Sequence, residues 1–408
     1  MEDNKEYYVS VPEKKNHAGL FILIGMLLGA ALASFVVVLL LGNGTVSQKA
    51  DGDGILSEEA VEKIRTIEEQ LDRYFLFRED MEEADTDTAM IKAYVEALGD
   101  PYTVYYTKEE YDSLMESTSG TYAGIGSYVS QNTSTGVITI VRPFENAPAY
   151  QAGIRANDII YKVNGEEVTG KDLSLVVADM KGEPGTTVDI EVYRPDTGEY
   201  IDFTVTRAIV EVETIQHEML EDGIGYIYMS SFDDVTYKQF MAAYEDLASQ
   251  GMKGLIVDLR DNGGGLLSSV LDILDEMLPA CTMTYTIDLN ENRQDYKSDA
   301  GYTVDVPLVV LVGGNTASAS EIFTAAVQDY DLGEIVGEQT FGKGIVQTIL
   351  SEEDGSGLKV TTSRYYTPNG VCIHGEGIAP DVSVTDDVTT AEDEVLEEGI
   401  RVLLENME

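Results

Sequence analysis

The run Thr316-Ala317-Ser318-Ala319-Ser320-Glu321 follows an apolar stretch, Val309 to Val312, and leads into a helical pattern. A serine at such a turn places its hydroxyl beside backbone N–H groups and the positive end of a helix dipole, where an oxyanion can be stabilised. The same residues also read as ordinary capping. Ser318-x-x-Glu321 is a capping-box pattern, and Thr316 or Ser320 could cap equally well. Gly342-Lys343-Gly344 comes 343 − 318 = 25 residues after Ser318 and precedes an expected strand, Ile345 to Leu350. A lysine is a base only when neutral, and burial lowers its pKa from about 10.4 toward the working range. Alternation along an extended strand would project Lys343 and Gln347 to one side, so that Gln347 could orient the amine without adding charge.

A third constellation is Asp258-Leu259-Arg260-Asp261-Asn262-Gly263-Gly264-Gly265, a buried strand ending in glycines before a helix. Consecutive glycines can turn N–H groups toward a substrate oxygen; Asp258 and Arg260 are expected to pair and fix the turn. His217 and His374 lack the context of a Ser-His-Asp base, and His374 reads as an exposed or hydrogen-bonded residue. Neither a His-Glu-x-x-His metal site nor a phosphate loop is present, since Gly342-Lys343-Gly344 lacks the spacing and the hydroxyl.

These residues must be positioned by folded elements, and the 408-residue chain, 43% hydrophobic, is long enough for two or three domains. Its 26 Lys plus Arg against 74 Asp plus Glu give a charge of −48, which argues against a nucleic-acid partner. The excess acid reads as a solvated, self-repelling surface. Two cysteines, Cys281 and Cys372, make neither a disulfide framework nor a zinc site.

Ala18 to Leu41 is a run of 24 residues with no ionisable side chain, enough to cross a hydrocarbon core of about 30 Å. It reads as a transmembrane helix rather than a cleaved signal peptide, because apolar sequence continues past the small-x-small site Ala31-Leu32-Ala33. Lys5, Lys14 and Lys15 precede it, so the tail 1–17 is expected in the cytoplasm and everything after Gly42 outside. Residues 42–56 have linker composition. Ser57 opens a helix with Val61, Ile64, Ile67 and Leu71 at helical spacing, and further helical stretches follow within 57–118. Residues 119–208 are expected to form a mostly β module of short β-branched strands. Strands and helices alternate through 209–385, an α/β core around a largely buried sheet. The segment 386–408 is an acidic closing helix.

Together these features resemble the carboxyl-terminal processing peptidases, serine endopeptidases with a Ser-Lys dyad and an embedded PDZ domain. The resemblance runs from about residue 57 to 404. It rests on Gly99-Asp100-Pro101-Tyr102, Gly124-Ile125-Gly126, Ala147-Pro148-Ala149 with Ala152-Gly153-Ile154, Asp158-Ile159-Ile160, the Asp258 to Gly265 run, Ala317 to Ile322, Val336-Gly337-Glu338 with Phe341 to Gly344, and Gly377 to Asp381. It implies a crotonase/ClpP-like α/β protease core with an inserted PDZ domain, behind an N-terminal helical segment and a single membrane helix. It also implies Ser318 as nucleophile, Lys343 as general base and Gln347 as its orienting partner, with an oxyanion hole from the N–H of Ala319 and that of Gly263 or Gly264. No cofactor or metal is implied. Gly124, Ile125 and Gly126 would form the loop that binds a peptide carboxylate, so that protein substrates are chosen by accessible, apolar C-termini. A homodimer is a further expectation of the resemblance. Two residues depart from the family pattern: Thr316 stands where Ser is usual and Gly263 where Pro is frequent.

Other classes fit less well. A catalytically silent PDZ adaptor would be signalled by loss of Ser318 or Lys343, and both are present. An HtrA-like protease places its protease domain before the PDZ module and uses a histidine. A crotonase-like hydratase has no use for a peptide-binding module.

Overall fold

The computed structural model describes residues 56–77, 85–299, 301, 304–386, 390 and 392–407. The tail 1–17, the membrane segment 18–41 and nearly all of the linker 42–56 lie outside these. Among the described residues no helix is long and apolar enough to cross a membrane.

The N-terminal region comprises α1 (Glu58–Tyr74), α2 (Thr86–Glu96), β1 (Val104–Tyr106) and α3 (Lys108–Ser119). Ser57 caps α1 as expected, accepting from the Ala60 N–H. Helix α1 has no buried residue, and its apolar positions Ile64, Ile67 and Leu71 are exposed. A capping box between Thr107 and Glu110 starts α3, and Gly120, left-handed at φ 65°, ends it.

The β module follows: β2 (Thr121–Gly124), β3 (Ser127–Gln131), β4 (Ile138–Pro143), α4 (Pro148–Ala152), β5 (Ile159–Val163), β6 (Glu166–Glu167), α5 (Leu173–Met180), β7 (Thr187–Arg194), β8 (Glu199–Thr206) and β9 (Ala208–Glu211). Its main sheet runs β3-β4-β5-β7-β8, with β6 on β5, while β2 and β9 form a separate ribbon. Ile138, Ile140, Ile160, Val176, Val188, Ile190, Val192 and Val205 make its core. The ion pair of Arg194 with Asp158, 2.7 Å, lies at the edge of that core.

The core contains β10 (Ile215–Met219), β11 (Ile224–Met229), α6 (Thr236–Ser249), β12 (Gly254–Asp258), α7 (Leu267–Asp275), β13 (Thr282–Asp288), β14 (Arg293–Lys297), β15 (Leu308–Val312), α8 (Ala319–Asp329), β16 (Gly333–Gly337), β17 (Ile345–Ser351), β18 (Gly357–Tyr366), β19 (Val382–Ser383) and α9 (Glu394–Asn406). Strands β11-β12-β15-β16-β19 are parallel neighbours, and β10 joins antiparallel at the edge. Every residue of β12 and β15 is buried, the signature of strands covered on both faces. Leu255, Val257, Val310 and Val312 pack with α6, α7 and α8 on one side. Ile256, Val309 and Leu311 meet Val395, Val402 and Leu403 of α9 on the other.

A second sheet, β1-β18-β13-β14 with β17 on β18, is antiparallel. It joins the N-terminal region to the core, because β1 pairs with β18 across most of the chain.

Candidate active site

Strand β15 ends at Val312, and the chain turns through Gly313 to Ala317 into α8. Thr316, the departure from the family pattern, holds this turn. Its hydroxyl donates to the Leu259 carbonyl at 2.7 Å and accepts the Gly313 N–H at 2.9 Å, so a hydroxyl is needed here and Thr supplies it. Ser318 is the N-cap of α8, fully buried, with φ 58° and ψ −117°. A non-glycine residue in that region carries backbone strain, which persists only where surrounding contacts enforce it.

Those contacts are plain. The Ala317 N–H donates to the Asn262 carbonyl (3.1 Å), and the Ser320 hydroxyl to the same oxygen (3.0 Å). Tyr365 Oη donates to the Ser318 carbonyl at 3.1 Å. Glu321 accepts the Ser318 N–H at 2.8 Å, the reciprocal half of a capping box, whereas Ser318 Oγ has no hydrogen-bond partner among the described residues. The hydroxyl is therefore not spent on capping.

Glu321 does more than the sequence suggested. Fully buried, its Oε1 accepts from the Thr340 hydroxyl (2.6 Å) and the Gly342 N–H (2.7 Å), and its Oε2 from the N–H groups of Lys343 and Ser318, both at 2.8 Å. One carboxylate thus fixes the serine turn to the lysine loop. Burial raises its pKa against the lowering effect of these four donors. Replacing it by Ala strands three N–H groups and a hydroxyl in the interior. Glu321→Ala is expected to cost about 3 kcal/mol or more in urea unfolding, and a loss below about 1 kcal/mol would remove this role.

The glycines flanking Lys343 permit close approach. A Cβ at Gly344 would stand 2.6 Å from the His374 nitrogen, and one at Gly342, φ 88°, 2.9 Å from that of Gly377. Lys343 is 1% exposed. Its pKa falls to about 7, through burial first and then the cation of Lys359, with Glu321 and Asp100 opposing. Its Nζ lies 4.5 Å from the centre of the Tyr102 ring.

The strand argument for Gln347 needs correction. Lys343 precedes β17 rather than lying in it, and the pairing with β18 shifts register between Val346 and Gln347, so simple alternation does not apply. Gln347 is nevertheless fully buried in the same region, with Nε2 donating to Thr361 Oγ1 at 3.4 Å and Oε1 without a partner. The hydrogen bond through Oε1 that would orient the amine is not made. Orphaned buried polar atoms are rare, and two of the four side-chain examples among the described residues are Ser318 Oγ and Gln347 Oε1.

The glycine run docks directly on the serine. A Cβ at Gly264 would lie 2.8 Å from that of Ser318 and 2.9 Å from the Ala319 nitrogen. Asn262, buried, shapes the run by accepting the Gly264 N–H (2.8 Å) and donating to the Met229 carbonyl (3.0 Å). Of the two glycines left open by the sequence, Gly264 has thus spent its N–H. Among the described residues the N–H of Gly263 has no acceptor, nor has that of Ala319 in the first turn of α8. Arg260 pairs with Asp258 as expected (2.6 Å), and it also holds Asp393, the N-cap of α9, at 2.6 Å. His374 is exposed, and His217 pairs with Asp246.

In the β module, Gly126 has φ 75° and a Cβ there would meet Ala147 at 2.3 Å, so only glycine fits. Ile125 is buried and its carbonyl accepts from Ala149. The Tyr122 hydroxyl faces the N–H groups of Ser127 and Gly126, which oppose the rise that burial gives its pKa. Among the described residues no group of His, Cys, Asp and Glu is arranged to hold a metal ion.

The chain is similar to known proteins over both its β module and its core. The family model for peptidase family S41 matches residues 223–384, and that for a PDZ domain matches 123–206. The carboxy-terminal processing protease CtpA of Bacillus subtilis is 34% identical over 370 residues, covering 90% of this chain and 77% of that one. A carboxyl-terminal-processing protease of Synechocystis is 35% identical over 301 residues, 73% and 70% of the two chains. The solved photosystem II D1 C-terminal processing protease is similar at 30% identity, with 78% and 85% covered and a TM-score of 0.46.

Proposed function

This chain belongs to peptidase family S41, as a carboxy-terminal processing serine protease with a PDZ domain, and we propose that it cuts proteins outside the cytoplasmic membrane by a Ser-Lys acyl-enzyme mechanism. The observation that carries this reading is the shared carboxylate of Glu321, which accepts the backbone N–H of a buried serine and that of a buried lysine whose pKa is near 7.

Neutral Lys343 takes the Ser318 proton as Oγ attacks the peptide carbonyl. The oxyanion receives the N–H groups of Ala319 and Gly263. Lys343 then returns the proton to the departing amine; in the second half Lys343 takes a proton from water as it attacks the acyl carbonyl and gives it to Ser318 Oγ as the ester bond breaks. This chemistry needs no cofactor.

The loop Gly124-Ile125-Gly126 receives the substrate's terminal carboxylate, and β3 pairs with its extended tail. Residues 18–41 anchor the chain with the protease outside. The exposed stripe of α1 supports pairing with a second copy, for which sedimentation at twice the monomer mass is the check.

One experiment tests location and tail recognition together. Intact cells carrying the protein receive a membrane-impermeant unfolded substrate with an apolar C-terminus, as free acid or as amide. The acid is expected to be cleaved several-fold faster. Cleavage by lysates but not by intact cells would reverse the orientation, and equal rates for acid and amide would remove the PDZ role. The unpaired Ser318 hydroxyl and the placement of Tyr122 on the loop amides favour a second reading, a protease latent until a tail is bound; a tail peptide added in trans would then raise the rate.

A further inference from the structure

A second lysine lies beside the first and has no part in the chemistry above. Lys359 is 3% exposed and stands in β18 opposite Val104 of β1 and Ile349 of β17. Directly opposed residues of antiparallel strands share a face, as do residues two apart along a strand. Lys359, Thr361 and Gln347 therefore occupy one face of the second sheet.

Asp100, in the Gly99-Asp100-Pro101-Tyr102 stretch, meets this face from the N-terminal region. Its carboxylate accepts from the Thr103 hydroxyl (2.6 Å) and the Tyr102 N–H (3.0 Å), and Thr103 Oγ1 accepts the Thr361 N–H (3.2 Å). Lys343 Nζ sits 4.5 Å from the ring centre of Tyr102, and Lys359 Nζ 5.4 Å from that of Tyr106. Among the described residues, the charged and titratable groups that act on Lys343 include Glu321 from α8, Lys359 from β18, and Asp100 and Tyr102 from the N-terminal loop, with Tyr365 facing Glu321.

We propose that Lys359 and Asp100 are positioning residues of opposite sign for the general base: the Lys359 ammonium disfavours a second cation at Lys343, and the Asp100 carboxylate limits that effect by offering both amines a counter-charge. This inference rests on the Ser-Lys reading. The electrostatics agree with the geometry. After burial, Lys359 is the main influence lowering Lys343, and Asp100 opposes it. Lys359 is itself lowered to about 8 by burial, against Asp100. Burial would raise Asp100, but Thr103, Thr361, Tyr102 and Lys343 carry it below the usual carboxylate value.

The test uses the full-length protein with 13C at the lysine ε carbons, titrated by NMR from acid to alkaline pH and assigned with Lys343→Met and Lys359→Met. Without the Lys359 charge, Lys343 keeps its proton to higher pH, and its midpoint rises by about one pH unit. In Asp100→Asn the midpoint falls by about as much. Lys359→Arg retains the cation and leaves the midpoint at or below that of wild type. The rising limb of kcat/KM on an unfolded protein substrate moves with these midpoints, whereas a merely structural role lowers the rate at every pH and shifts nothing. A Lys343 midpoint that stays in place, or moves the same way in Lys359→Met and Asp100→Asn, overturns the proposal. If Lys359→Met does not fold, Lys359→Arg, which keeps the cation, and Asp100→Asn, which keeps the shape and one of the two acceptor oxygens, carry the test. The titration requires no turnover. Cleavage by Ser318→Ala at the wild-type rate would defeat the Ser-Lys reading, while the midpoints still report on the lysine pair.

Discussion

Ser318→Ala and Lys343→Ala each lower kcat/KM on an unfolded protein substrate by about 10⁴-fold or more, and the double variant is no worse than the poorer single one. The expectation follows from what each residue supplies. Without Ser318 Oγ no acyl-enzyme forms. Without Lys343 the proposed base is gone, and Glu321 is occupied by four donors while both described histidines lie elsewhere. Wild-type cleavage should rise through pH 7, because a base lowered to about 7 is protonated below that value and free above it. Cleavage at the wild-type rate by either variant would exclude the dyad. Normal secondary structure in both is the accompanying control.

The second large effect has the opposite sign. Lys343→Met is expected to stabilise the fold at neutral pH by about 3–4 kcal/mol. The unfolded chain binds the lysine proton up to about pH 10.4, whereas the folded chain binds it only below about 7. Between these values the unfolded state holds more protons, so wild-type stability rises with pH through this window. Methionine fills a similar volume and carries no proton. Its advantage is therefore largest below pH 7 and vanishes as pH passes the unfolded value. Urea unfolding of the two proteins at neutral and alkaline pH reads the difference, and a gap independent of pH would mean that burial of the amine is not its cause. The activity and stability of this site pull against each other through one side chain.

The parallel sheet was readable because β15 is an unbroken apolar run and β12 departs from one only at its last residue, Asp258, as doubly covered strands require. Of the antiparallel sheet only β17 was, as the run Ile345 to Leu350. Strands such as β13, with Thr and Tyr at most positions, and β14, with Arg, Gln, Asp and Lys, carry no apolar period and are recognisable only by their partners. At the site, Ser318 and Lys343 were visible from their glycines and their turn. Glu321 was read as half of a cap, because the donors from Thr340, Gly342 and Lys343 come from a loop that sequence spacing does not place. Lys343 and Gln347 were assigned to one side by strand alternation, yet the chain enters β17 only at Ile345 and a bulge intervenes. Asn262 and Asp100 stood in motifs without a role, since the partners that tie them to the site, Ala317 for Asn262 and Lys343 for Asp100, lie far along the chain.

The pairing of β1 with β18 bears on when the protein becomes dangerous. The Thr361 N–H reaches Thr103 across 258 residues of sequence, and contacts of such separation form only after a large loop has closed. A chain emerging from its N-terminal end exposes Asp100 and Tyr102 long before Lys359 and Thr361 exist to meet them. Serine and lysine can both be present in a half-folded chain while the groups that set their protonation are still apart. Timing is thereby written into topology: the surroundings of Lys343 are complete only once β1 has met β18.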